Sequence, residues 1–364
     1  MVRFRFNKKY VIIAAVFALL LYVFIAAAPV PEETALSLNW IKSLETAYEK
    51  NVDGQLVPFE LGGYFGYVSE DGQFSVRKIK KSYVSLSDFF WAEYGAQDSD
   101  IPIKDPFNET VFSIEGGNGY PFFLDSRSFI ISSEQNSISL LDRNRPLSEN
   151  GAGKIVWTYD FASPVTCVDA AAGFLLVGTL DGAIELIDNA GRRVYFSEPS
   201  GSRVSAIFGC ALSADGRKIA LVSGLDEQRF VLLEQFGASW RITFHEFLGE
   251  GLRRNVYVMF ADYDNKIVFE RKNAIGVYDV KLRKSYKAPL DGEIASLGDT
   301  GKDGMVFFIT SQGEFQKKLI GLRFPDTIII EAPFNSGDVF LARKNDNLFV
   351  GGKTTLASFK IHKK

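Results

Sequence analysis

The sequence predicts an all-β protein built from a repeated unit of about forty residues. The clearest copy lies within residues 155–200. An apolar strand, Leu175 to Thr179, turns at Asp181-Gly182 into a second strand, Ile184 to Asp188, and Gly191 marks the next turn. Four short strands of this kind form one blade of a β-propeller. A lone blade leaves both faces of its sheet exposed, so several blades must pack around a channel.

The same residues resemble the repeat of quinoprotein-like (PQQ-repeat) propellers, which are related to the WD40-like group. In that repeat an Asp-Gly turn, a strand ending in Asp and a Gly turn precede a strand carrying Trp, as in Lys154-Ile155-Val156-Trp157. The resemblance implies a family with membrane-associated assembly scaffolds, periplasmic dehydrogenases and binding platforms among its members. It therefore supports the fold more than any one activity.

Seven four-stranded blades can be placed along the chain, with six or eight blades as the alternatives. They cover residues 65–94, 121–161, 165–196, 204–247, 256–280 with the basic hairpin that follows, 294–330 and 339–361. The last unit supplies only three strands. We expect its fourth strand from Leu56 to Leu61, because closure of the ring by the start of the domain removes free sheet edges.

The N-terminus predicts a membrane anchor. Four cationic residues precede an uncharged stretch, Tyr10 to Val30, which at about 1.5 Å per residue can cross about 30 Å of hydrocarbon. Cations stay on the cytoplasmic side, so the rest of the chain is expected outside the cytoplasm, in the periplasm of a single-pass inner-membrane protein. The alternative is a signal peptide cleaved after Ala26-Ala27-Ala28. The length of the apolar stretch and Pro29 favour retention.

These features divide the chain into four parts. Residues 1–9 form a basic cytoplasmic tail and residues 10–30 the transmembrane signal anchor. Residues 31–55 form a helical linker, because Leu38, Ile41 and Leu44 recur at helical spacing and predict a short amphipathic helix from Thr34 to Lys50. Residues 56–364 form the propeller domain.

The residue inventory offers little catalytic chemistry. Two histidines, His245 and His362, cannot form a zinc cluster, and a net charge of -3 argues against nucleic-acid binding. The quinoprotein resemblance implies a vicinal disulfide, but Cys167 and Cys210 are far apart, so we expect no cofactor and carry over no catalytic residue. Both cysteines fall on the first strands of adjacent predicted blades. They are expected to be buried thiols, with an interblade bridge left open.

An aromatic run supplies the candidate partner-binding residues: Phe89, Phe90, Trp91 and Tyr94. Alternate residues of a strand face opposite sides, so Phe89 and Trp91 point one way and Phe90 the other. Packing between blades would bury one set. The other set could bind a partner or contact the N-terminal helix.

Two functions follow from these observations. The first is a membrane-anchored, non-enzymatic scaffold in envelope assembly that binds a protein partner on its propeller surface. The second is a propeller enzyme or small-ligand binder with a site at the central channel. A convergent group of carboxylates around an open pocket would favour the second function, and a plugged or apolar channel would favour the first.

Overall fold

The computed structural model describes residues 16–19, 21–22, 34–46, 55–115, 120–123, 130–134, 136–142, 154–199, 204–249 and 251–363. The chain divides into two compact units, one of residues 37–360 and one of residues 1–36 with 361–364. In the smaller unit, residues 16–19 and 21–22 are helical and exposed. No helix among the described residues has the length and apolar character needed to cross a bilayer. Most of the predicted anchor lies outside the described residues.

The larger unit consists of antiparallel sheets of short strands. The first half of the chain contains β1 (Thr34–Ser43), β2 (Leu56–Leu61), β3 (Tyr64–Ser69), β4 (Phe74–Lys78), β5 (Tyr83–Leu86), β6 (Trp91–Tyr94), β7 (Asp100–Lys104), β8 (Thr110–Glu115), β9 (Tyr120–Phe123), β10 (Ile130–Glu134), β11 (Ser137–Asp142), β12 (Lys154–Asp160), β13 (Val165–Ala171), β14 (Phe174–Thr179), β15 (Ile184–Asp188) and β16 (Arg193–Ser197). Short 3-10 turns occupy Leu44–Thr46 and Lys302–Gly304.

The second half continues the same pattern. It contains β17 (Ile207–Leu212), β18 (Lys218–Ser223), β19 (Gln228–Phe236), β20 (Ser239–Gly249), β21 (Val258–Ala261), β22 (Lys266–Arg271), β23 (Ala274–Asp279), β24 (Lys284–Pro289), β25 (Glu293–Ser296), β26 (Met305–Gln312), β27 (Gln316–Arg323), β28 (Thr327–Asn335), β29 (Val339–Lys344), β30 (Asn347–Gly352) and β31 (Thr355–Lys363).

Seven of these sheets have four strands, as the sequence predicted for seven blades. They are β5–β8, β9–β12, β13–β16, β17–β20, β21–β24, β25–β28, and β29–β31 with β1. An eighth sheet has three strands, β2–β4. The predicted first blade, residues 65–94, is wrong, because its strands divide between β2–β4 and β5–β8. The physical reason is the inserted three-stranded sheet, whose apolar strands have the same pattern as a blade.

Neighbouring sheets pack face to face around a complete ring. Buried side chains join β13–β16 to β17–β20, β17–β20 to β21–β24, and β21–β24 to β25–β28. The three-stranded sheet packs on the last blade through Phe59 and Phe349 and on β5–β8 through Phe65 and Trp91. Because each sheet buries both faces against neighbours, the apolar core is distributed between the blades rather than gathered in one centre.

The inner strands of adjacent blades run parallel, and their turns are hydrogen-bonded in series. Ala214 N donates to the Asp264 carboxylate at 2.8 Å, Asp262 N donates to Gly301 O at 3.0 Å, and Arg343 N donates to Gly298 O at 3.0 Å. These turns, 213–217, 262–265, 297–304 and 344–346, therefore lie on one side of the ring, which we name the turn face. The loops that lead into the inner strands form the opposite loop face.

The three-stranded sheet departs from this rule. Gln55, which precedes β2, lies beside Asn345 at the end of β29, with the two side-chain amides 3.4 Å apart. At its other end, Gly62 lies against Lys353, which neighbours the start of β29. Strand β2 therefore runs opposite to β29. The innermost strand of a regular blade would run parallel to β29. Strand β2 has the opposite direction, which is the direction of the second strand in a regular blade.

Closure of the last blade is made by β1 and not by Leu56 to Leu61. Strand β1 is the outer strand next to β31, and Leu44 N donates to Thr354 O at 2.8 Å. The predictions of an amphipathic helix and of a helical linker are wrong for residues 34–46. Local spacing of Leu38 and Ile41 suggested a helix, but the open edge of β31 supplies backbone partners, and both side chains remain exposed.

Tryptophans lock two of the outer strands onto the next sheet. Trp40 Nε1 donates to Glu70 O at 3.0 Å, and the indole covers Gly72, which has φ +77°. In the same manner Trp157 Nε1 donates to Asn189 O at 3.1 Å and covers Gly191, also at φ +77°. Strand β1 thus makes the contact that an internal outer strand makes elsewhere, which explains how a distant segment completes the last blade.

A test of this closure compares two neighbours on β1. Trp40→Ala should lower the free energy of unfolding by about 3 kcal/mol, because the indole packs on Phe74 and Phe349 and caps the Gly72 turn. Ile41→Ala is the control, since Ile41 is exposed and should change stability by less than about 0.5 kcal/mol. Urea unfolding measures both. Equal, small effects would show that β1 does not close the ring.

The Asp181-Gly182 turn gives a second test. Gly182 has φ +93°, and a Cβ there would overlap the carbonyl oxygen of Ser205 in the loop before the next blade. Gly182→Val should therefore cost at least the backbone strain of about 1 to 3 kcal/mol and loosen the contact between two blades. Gly313→Val shares the positive φ (+75°) but has open space around the new Cβ. A denaturation midpoint lowered equally in both variants would refute the interblade contact.

Candidate partner-binding surfaces

The structure buries most of the predicted aromatic run. Phe90 and Tyr94 face the interior of the β5–β8 blade, and Trp91 points to the other side, against Phe65 of β3. The predicted alternation of Phe90 and Trp91 is thus confirmed. Phe89 lies in the bend before β6 and is 38% exposed. Partner binding through this run remains a prediction. Of the four residues, only Phe89 is exposed enough to contact a partner.

Trp91 has a structural role between two sheets. Its Nε1 donates to Asp105 O at 2.8 Å, while the Arg77 guanidinium and the Lys104 ammonium lie 4.7 and 5.2 Å from its ring centroid. Cations over an aromatic face are attracted by the ring quadrupole. Part of the basic segment 77–81 therefore packs against the core instead of offering free charge to an anionic partner.

The two cysteines occupy the predicted places. Cys167 lies on β13 and Cys210 on β17, the inner strands of adjacent blades, and both are free thiols in one apolar cluster. A hydrogen bond with Cys167, together with burial, raises the pKa of the Cys210 thiol. A thiol with a raised pKa is a poor nucleophile at neutral pH, so Cys210 is a packing feature.

A cavity of about 350 Å³ opens on the turn face between β2, β25 and β29. Two of its cations, Arg343 and Lys344, pair with acids. The buried Arg343 guanidinium contacts Asp299 at 3.4 Å and Asp303 at 3.1 Å, and Lys344 contacts Asp88 at 3.4 Å. Burial raises the pKa of Asp299, although it also accepts hydrogen bonds from Gly301 N and Phe307 N. These carboxylates hold the loop 297–304 in place.

A second cavity, of about 480 Å³, opens on the loop face between β21 and β25. The buried Glu270 carboxylate accepts two hydrogen bonds from Arg254, at 2.6 and 3.1 Å, and this pairing raises the pKa of Arg254. Arg254 also contacts Glu293 at 3.0 Å. The two carboxylates near this cavity therefore share one arginine, and neither lacks an ion-pair partner.

Apolar side chains are also exposed on the loop face. Each of four successive blades presents one exposed apolar residue on the loop face: Leu180, Val204, Tyr257 and Phe315. Interblade hydrogen bonds keep their loops together, since Ser205 Oγ donates to Asp181 O at 2.9 Å and Asn255 Nδ2 donates to Thr166 O at 3.2 Å. These four residues, which we name the rim, give the loop face exposed apolar surface in addition to a charged cavity, a combination typical of surfaces that bind proteins.

Sequence reasoning did not find this rim. The four residues lie in four loops separated by up to 135 positions, and each alone reads as an ordinary exposed apolar residue. The available signal was positional, because each residue lies in or next to a turn or loop that joins predicted strands. In the described part of the chain, no three His, Cys, Asp or Glu side chains are grouped so as to hold a metal ion.

Comparisons with known proteins agree with the fold. A relative from Treponema pallidum (strain Nichols), named an uncharacterized protein, is 26% identical over 370 residues, covering 98% of this chain and 94% of its own. BamB from Moraxella catarrhalis superposes with a TM-score of 0.58 at 12% identity, over 90% of this chain and 100% of that chain. A chain of the Mitotic Checkpoint Complex superposes with a TM-score of 0.56 at 13% identity, over 87% of this chain and 99% of that chain.

At these identities the two solved structures show the fold alone, and the quinoprotein-like repeat assignment stays a prediction. A family model described as "beta-propeller protein" matches residues 2–364. This chain therefore belongs to the β-propeller protein family.

Proposed function

We propose that this β-propeller is a non-enzymatic scaffold, anchored in the inner membrane by its N-terminal segment and exposed to the periplasm, where it binds a protein partner in envelope assembly. The carrying observation is the loop-face rim of Leu180, Val204, Tyr257 and Phe315, together with the 480 Å³ cavity that Tyr257 lines. The membrane placement is supported by the four cationic residues before Tyr10 and the apolar stretch after it.

The pairing of charges near the cavities favours a scaffold over an enzyme. A general acid or base needs a proton-accepting group that reaches the substrate. In the described residues, Glu270, Glu293 and Asp299 each bind an arginine. Glu270 and Asp299 are buried, so removing the arginine of either pair would leave a buried charge alone, and these two carboxylates therefore stabilise the ring rather than serve a reaction.

Site-specific photocross-linking tests the partner surface. A photoreactive residue at Phe315 should give a defined protein adduct in native membranes, and Leu180→Glu on the same rim should remove it, because a charge on an apolar contact weakens binding. The control position is Phe247, which is exposed on the outer strand β20. Identical adducts from both positions, or an adduct insensitive to Leu180→Glu, would refute binding at the rim.

Protease protection tests the topology. Protease added to spheroplasts should digest the propeller after residue 31, while residues 1–9 remain protected, because the cationic residues hold the N-terminus inside. Membrane fractions washed at high salt should retain the intact chain. Protection of the propeller in spheroplasts would reverse the proposed orientation, and loss of the chain from washed membranes would refute the anchor.

A further inference from the structure

The turn face carries the two most exposed large apolar side chains among described residues 34–363. Tyr263 is 77% exposed and Leu282 is 68% exposed. Both belong to the blade β21–β24, where Tyr263 lies in the turn after β21 and Leu282 in the turn after β23. Val280 N donates to Asn265 O at 3.0 Å, so the two turns are adjacent. Such exposure costs solubility and indicates a contact surface.

Basic residues flank Leu282. Lys281, Arg283 and Lys284 are all exposed at this turn. The neighbouring acids are engaged in the fold, since Asp279 binds Lys266 at 2.6 Å and Asp264 accepts from Ala214 N. Asp262 is half-buried. The tip of the blade therefore presents an apolar residue among three exposed basic residues, of which Lys284 has its ammonium 4.7 Å from the Tyr286 ring centroid.

The backbone holds Tyr263 outward at a cost. Asp262, Tyr263 and Asp264 have φ of +50°, +56° and +62°, three consecutive residues in the left-handed region. Asp and Asn tolerate this region, but Tyr does not adopt it readily, and each such residue is a local strain. A strained backbone that exposes an aromatic ring is common at binding sites.

Asn39 of β1, in the larger unit, lies on the same face. Asn39 Nδ2 donates to Asn347 Oδ1 at 3.1 Å, at the turn-face end of β30, and β1 then runs towards the loop face. The predicted anchor ends at Val30 and β1 begins at Thr34. These two residues can be separated by at most about 14 Å of extended chain.

We propose that the tip formed by Tyr263 and Leu282 with Lys281, Arg283 and Lys284 docks on the anionic headgroups of the membrane that carries the chain's own anchor. This inference rests on the proposed anchor. Tyr is favoured at the membrane interface, and Lys and Arg are attracted to anionic lipid surfaces. Docking at the turn face would leave the loop-face rim pointing away from the bilayer and accessible to a partner.

Depth-dependent quenching tests the docking. The full-length chain is reconstituted in phosphatidylglycerol vesicles with and without brominated lipid, as wild type, Leu282→Trp and Phe315→Trp. The added tryptophan of Leu282→Trp should be quenched at least twofold more than that of Phe315→Trp, the matched control on the loop face. The triple substitution Lys281→Glu, Arg283→Glu and Lys284→Glu should remove this difference in quenching. So should Tyr263→Asn, which keeps a residue that tolerates positive φ.

The outcomes separate the docking from the anchor. If the chain stays with the vesicles after a high-salt wash and Leu282→Trp is no more quenched than Phe315→Trp, the docking is refuted, and the tip is free for a protein partner. If the wash releases the chain, the anchor fails. In that case, adding phosphatidylglycerol vesicles that contain brominated lipid should still quench the tryptophan of Leu282→Trp at low salt. An absence of quenching would overturn the docking as well.

Discussion

Parallel inner strands whose turns are hydrogen-bonded in series hold this structure together. Each of the turns 213–217, 262–265, 297–304 and 344–346 bonds to a neighbour, in part through buried or half-buried charge such as Arg343 with Asp299. An unpaired backbone group at these positions would be costly, so each turn fixes the position of the next. Blade order, the distinction between the two faces and the position of the cavities all follow from this series.

The same constraint explains why the charged residues near the channel are structural. Glu270 orients Arg254 and also accepts hydrogen bonds from Tyr257 N and Ile294 N, which link adjacent blades. Asp169 bonds Leu212 N of the next inner strand at 2.7 Å, and burial raises its pKa. Carboxylates used in this way are fixed and paired or hydrogen-bonded, so binding capacity is left to the exposed loops and turns.

The two faces differ in chemistry. The loop face combines the apolar rim with a cavity lined by paired charges, whereas the turn face carries Tyr263 and Leu282 beside exposed basic residues. The difference arises because turns after inner strands are short and packed against one another, so a residue such as Tyr263 projects only when the backbone takes a strained form. Two faces of one ring can thus meet two different environments.

Sequence alone determined the repeated blade, most blade boundaries from residue 121 onward, and the placement of Cys167 and Cys210 on adjacent inner strands. These features depend on local patterns of alternating apolar residues and on Asp-Gly turns such as Asp181-Gly182, where a positive φ selects glycine. The Phe90 and Trp91 alternation followed from strand geometry for the same reason.

Only the tertiary structure decided how the ring closes and where its surfaces lie. Residues 34–43 have a pattern that fits a helix, but the unpaired edge of β31 draws them into a strand, and β2 is reversed beside β29. Leu180 and Phe315 lie on the same face only because the blades are arranged in a circle. Such proximity between distant residues has no local sequence signal, because it results from packing of whole sheets.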